Sequence, residues 1–114
     1  MKRDFIDFIH DMLNSINELT EFTDNVSYET FENSKILRLS TERLLEILGE
    51  AANRIPVELQ EKYPSITWRD IIGMRNIIIH SYDKVDPKQL WNVIKFRLKS
   101  LKDDLNNMIT ELEK

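Results

Sequence analysis

From Asp4 onward, apolar residues return at every third or fourth position. Phe5, Ile9, Met12, Ile16, Leu19 and Phe22 fall on one stripe of a helix covering about 4 to 22. The segment "TDNVS" breaks that pattern, and Ser27 is placed to cap a short helical turn holding Tyr28 and Phe31. A longer helix follows from near Lys35, with Leu37, Leu44, Leu48, Ala51 and Ile55 at steps of three, four and seven until Pro56 stops it. Gly49, Ala51 and Ala52 are small enough for another helix to cross closely there. Pro56 opens a short helix, "PVELQEKY", which Pro64 ends. Thr67 with Asp70 three residues later reads as a capping box, so a helix begins at Trp68 and runs through Ile71, Ile72, Met74 and Ile78 towards His80. "SYDKV" is a loop. Asp86 then caps a final helix with Pro87 at its first position and a stripe of Leu90, Ile94, Leu101, Leu105, Met108 and Leu112.

No segment alternates as a strand does, and there is no internal repeat. The expected fold is all-α: an antiparallel four-helix bundle with additional short helices, forming a single domain over residues 1–114. Trp91 and Leu98 form part of a second stripe on the last helix, and Ile77 to Ile79 add apolar surface beyond a monomer's core. That excess fits a homodimer or a broader core equally well.

Composition narrows the chemistry. Apolar residues make up 41% and charged residues 32%, with two glycines and three prolines, which suits long helices in a folded chain. The absence of cysteine removes disulfides, thiolate metal sites and cysteine nucleophiles. Asp4, Asp7 and Asp11 interrupt what a signal peptide would need uncharged, and no run reaches membrane-spanning length, so a cytoplasmic location and no membrane partner are expected. The net charge of −4 argues against a general polyanion binder, yet six basic residues (Lys84, Lys88, Lys95, Arg97, Lys99, Lys102) face two acidic ones between Asp83 and Lys102. Such a run is an approach for nucleic acid or an ordinary solvated helix face.

The candidate chemistry lies in "RNIIIHSY". Asn76 and His80, four apart, share a helix face, whereas Arg75 and His80, five apart, are offset by roughly 140°. An arginine and a histidine so placed converge if the helix frays near His80 or if two copies meet. The same residues also suit a purely structural role: a histidine at a helix C-terminus, an arginine bonded to a neighbouring acid and a tyrosine leaning on the bundle. Glu46 and Glu50, one turn apart, read as an acid–base pair, a cation site or, as is usual at that spacing, two solvated carboxylates. His10 has no companion at metal-ligand spacing, and no metal site is expected. Trp68 and Trp91 read as core or dimer contacts, and no glycine-rich phosphate loop is present.

Arg75, His80 and Tyr82 in "RNIIIHSY", with "ILGEAANRIP" and "YPSITWRDIIGM" before them and "DKVDPKQLW" after, resemble the HepT-like toxins of the HEPN superfamily over about Tyr28 to Leu101. The resemblance implies a metal-independent endoribonuclease, without cofactor, in which two motif copies of a homodimer line one cleft. RNA brings its own nucleophile, the 2′-hydroxyl, so the protein chiefly moves protons and stabilises charge. His80 then acts as general acid or base and Arg75 holds the scissile phosphate, with Asn76, Lys84 and Glu50 binding RNA or supporting the cleft. Tyr82 matches the position at which a cognate MntA-like nucleotidyltransferase antitoxin attaches AMP, blocking RNA by bulk and charge. The alternative is a non-catalytic HEPN module that binds nucleotides or a partner protein.

Overall fold

The computed structural model describes residues 4–114. Asp4 caps α1 (Phe5–Thr23) by accepting from the Ile6 amide at 3.2 Å. Asn25 closes the turn after it with φ 60°, a left-handed conformation that asparagine tolerates better than most residues. Ser27 caps α2 (Tyr28–Asn33) through the Thr30 amide, and Ser34 caps α3 (Lys35–Asn53) through Leu37. Then come α4 (Val57–Gln60), α5 (Trp68–His80), a 3-10 turn (Tyr82–Lys84), α6 (Pro87–Phe96) and α7 (Leu98–Leu112). Among the described residues every regular element is helical, so the chain is all-α as its periodicity implies.

The helices run against one another around one core. His10, early in α1, lies 3.8 Å from Glu113 beyond α7, while the Thr23 carbonyl at the end of α1 receives Lys95 Nζ at 3.5 Å. The layer α6–α7 is therefore antiparallel to α1. Arg54, just past α3, sits 5.7 Å over the Phe8 ring near the start of α1, so α3 also returns along α1. Ile9, Met12, Ile16 and Leu19 meet Phe31, Leu45, Leu48, Ala52, Leu90, Leu105 and Met108 in the core between them.

Three details depart from the sequence reading. The capping box does not form: Thr67 makes no side-chain cap bond, and the Asp70 carboxylate accepts instead from Arg97 Nη2 at 3.1 Å. The last helix is divided at Arg97 (φ −121°, ψ −28°), a bend that sends Leu98 into the core and leaves Phe96 in solvent. The short helix stops at Gln60, whose amide donates to the Ile55 carbonyl at 2.9 Å beyond the end of α3. The second stripe is also consumed internally. Leu98 is buried and Trp91 packs on Phe31 and Tyr28, and of the expected run Ile78 is buried too, so the exposed apolar surface is Ile77 and Ile79 together with Ile36, Leu39, Val57 and Phe96.

The crossing of α3 and α5 positions the site. A Cβ at Gly49 would collide with the Arg75 Cβ and come within 3.0 Å of the Ile71 carbonyl oxygen, so only glycine lets the two backbones approach this closely. Gly49→Ala should lower the unfolding free energy by about 1–2 kcal/mol despite alanine's helix propensity, read as a lower urea midpoint. Glu42, partly buried on α3, has its pKa raised by desolvation, which Arg38 offsets only in part. A raised folded-state pKa means stability is lost as pH rises from the unfolded value through the folded one. Glu42→Gln should therefore raise the urea midpoint at pH 7 and have no such effect once pH falls below the ordinary glutamate range.

Candidate functional site

The stem of Arg75 is pinned under Gly49, and its guanidinium emerges beside α3. Nη2 donates to Glu50 Oε2 at 2.6 Å and Nη1 donates to Asn76 Oδ1 at 2.8 Å. Nε is buried and, among the described residues, has no partner. The Arg75 side chain is 23% exposed, and each of its two terminal nitrogens has a second N–H beyond the bonds just named. Glu50 Oε1 lies 3.7 Å from Arg54 Nη2, which places one carboxylate between two arginines. Such a fork is held in orientation rather than free to swing, which suits two-pronged contact with a phosphate.

His80 ends α5, is exposed, and among the described residues makes no side-chain hydrogen bond. The helix remains intact to that residue, so it does not fray, and the imidazole faces away from α3 while Arg75 faces towards it. Within one copy the two groups serve different sides of α5. Tyr82, 78% exposed, and exposed Lys84 follow on the 3-10 turn, which the Lys84 amide closes on the Ser81 carbonyl at 2.8 Å. Asn76, His80, Tyr82 and Lys84 thus share one open end of the molecule, with Arg75 and Glu50 at its edge.

A groove of about 320 Å³ runs from Arg75 across the outer surface of α3, lined by Arg43, Glu46, Glu50, Arg54 and Ile79 among others. Arg43 and Arg54 were not singled out in the sequence. Their signal was available, since Arg43, Glu46, Glu50 and Arg54 recur at helical spacing on one face of α3. Glu46 is paired with Arg43 at 3.1 Å rather than with Glu50. A second, more apolar cavity of about 210 Å³ lies on the other side of α5 against α6 and α7, and none of the candidate residues lines it.

The basic run is less available than its count suggests. Lys88 lies 4.3 Å over the Tyr28 ring, Lys95 lies 4.6 Å over Trp91, and Arg97 is paired with Asp70. Trp68 is buried and donates Nε1 to the Tyr63 carbonyl at 3.2 Å, and Trp91 is half-buried, so both act in packing. His10 is half-exposed beside Glu113. Among the described residues no group of three or more His, Asp or Glu side chains is placed to hold a metal ion, and no helix is long and apolar enough to cross a membrane.

Comparison with known proteins agrees with this architecture. The family described as "Ribonuclease HepT-like" matches residues 12–108. "Putative RNase MJ1216" of Methanocaldococcus jannaschii is 36% identical over 112 residues, covering 98% of this chain and 93% of the relative. "Putative RNase MJ1380" of the same organism is 38% identical over 104 residues, covering 91% and 95%. "Probable ribonuclease HepT" of Thermococcus cleftensis is 37% identical over 102 residues, covering 90% and 93%. The chain belongs to the HepT-like ribonuclease family of the HEPN superfamily.

Proposed function

We propose that this chain is the toxin of a two-gene toxin–antitoxin module: a metal-independent endoribonuclease whose cleft is shared by two copies, silenced by AMP transfer to Tyr82. The observation that carries the reading is the arrangement around Arg75. One helix carries both a pre-oriented guanidinium, tethered by Glu50 and Asn76, and, on a different side, an imidazole that is exposed and, among the described residues, unpartnered. Because Arg75 and His80 leave α5 about 140° apart, a second copy is the simplest way to bring an arginine and a histidine onto one phosphate. Exposed Ile79 within the motif, and Ile36 and Leu39 on α3, supply apolar surface for that pairing.

In such a cleft His80 of one copy takes the proton of the 2′-hydroxyl as its oxygen attacks the adjacent phosphorus. The proton returns from that imidazolium through water to the departing 5′-oxygen, and the fragments carry a 2′,3′-cyclic phosphate and a 5′-hydroxyl. Arg75 stabilises the charge gathering on the phosphoryl oxygens through its unengaged N–H groups. Tyr82, two residues beyond His80 and fully reachable, takes AMP from a nucleotidyltransferase antitoxin, which sets bulk and phosphate charge at the mouth of the cleft. The binding-module alternative draws on the same Glu50 carboxylate, which neutralises Arg75 and is unfavourable for a second anion.

Unmodified wild type should cut labelled single-stranded RNA in chelator, and His80→Ala or Arg75→Ala should each lose about 100- to 10,000-fold in rate. Equal rates for folded wild type and variants would leave the binding module standing. Tyr82→Phe should keep cleavage but show no AMP mass increment after incubation with ATP and the antitoxin, whereas adenylation of that variant would place the modification elsewhere.

A further inference from the structure

Gly73 has no packing reason within one copy of the chain. A Cβ built there meets no heavy atom within 4 Å, unlike Gly49, so alanine would fit. A glycine inside a helix gives up about 0.5–1 kcal/mol relative to alanine. A helix that forgoes this at an open position leaves room for something outside the chain to lie against its backbone. The neighbouring residues indicate what that is.

At 3.6 residues per turn, Arg69, Gly73, Asn76 and His80 fall within about 60° of one another on α5, forming a straight track about 16 Å long. Arg69 stands at the far end of this track from His80. Arg43, Arg54, Arg75 and Arg97 each lie within ion-pair distance of a carboxylate, whereas exposed Arg69 has no such partner among the described residues. Exposed Ile77 flanks the track and offers apolar surface to the face of a base. A packed helix from a second copy would call for a more apolar stripe than arginine, glycine, asparagine and histidine, and exposed Ile36 and Leu39 lie on α3 instead.

We propose that single-stranded RNA runs from the His80 end along this face of α5, its sugar–phosphate backbone passing closest at Gly73 and a phosphate remote from the scissile one resting on Arg69. The inference rests on the ribonuclease reading above and extends it to residues outside the arginine–histidine motif. Lys84 follows His80 in the chain, exposed on the 3-10 turn.

The test uses the full wild-type chain and labelled single-stranded 2′-fluoro RNA, which keeps the phosphates and lacks the attacking hydroxyl, with binding read by anisotropy across a salt series. Arg69→Ala should weaken binding about three- to tenfold at 0.1 M salt and reduce the salt slope by about one. Gly73→Ala should raise the urea midpoint and still weaken binding, with the oligomeric state unchanged by sedimentation. A merely structural glycine would not divide the two readouts in this way. Wild-type affinity in both variants would remove RNA from this face, and loss of the oligomer in Gly73→Ala would assign the gap to a second copy. If wild type binds no RNA at all, the ribonuclease reading falls and takes the track with it.

Discussion

The reactive end of the molecule depends on how closely α3 and α5 cross at Gly49. With no side chain there, the Arg75 stem lies against the α3 backbone, and the adjacent residue of α3, Glu50, comes within 2.6 Å of the guanidinium. A wider crossing would separate that pair and return Arg75 to solvent, where a flexible side chain loses more rotamer freedom on gripping a phosphate. The same contact makes a packing detail of the bundle into an electrostatic one. Glu50 is held between Arg75 and Arg54, so the groove on α3 carries alternating charge instead of a uniform positive field.

This crossing also sorts α5 into faces with separate tasks. The side bearing Arg75 and Ile79 is turned to α3 and its groove, while the side bearing Asp70 and Met74 borders the apolar cavity against α6 and α7. The remaining side, with Arg69, Gly73, Asn76 and His80, faces outward. One helix thus supports the core, orients a cation and presents an imidazole. Its termination at His80 and the 3-10 turn after it carry Tyr82 clear of the bundle, which is where a modifying partner must find it in the proposed scheme.

Much of this was legible in the sequence because local rules govern it. Ser27 and Asp86 cap helices as their types suggest, and the small residues around Gly49 announce a close crossing. Contacts between residues far apart in the chain were not legible. Glu50 and Arg75 are 25 residues apart, so helical spacing left Glu50 open between an acid–base partner of Glu46, a cation ligand and a solvated carboxylate. Asp70 looked like a capping residue because the cap is local, whereas Arg97, 27 residues away, holds it instead. The division of the last helix at Arg97 carries no proline or glycine to mark it; it accompanies that same long-range pair. The basic run also counted lysines without showing that Lys88 and Lys95 rest on aromatic rings.

Arg75 and His80 leave α5 on different sides, so the account requires the arginine of one copy to work with the histidine of the other. Mixing denatured Arg75→Ala and His80→Ala chains, refolding them together and measuring RNA cleavage tests this directly. Neither variant cuts alone, but a mixed dimer holds one intact pairing, and a statistical mixture should recover about a quarter of wild-type activity. A mixture as inactive as its components, with mixed dimers demonstrably present, would show that both groups act from the same chain and would contradict the shared cleft.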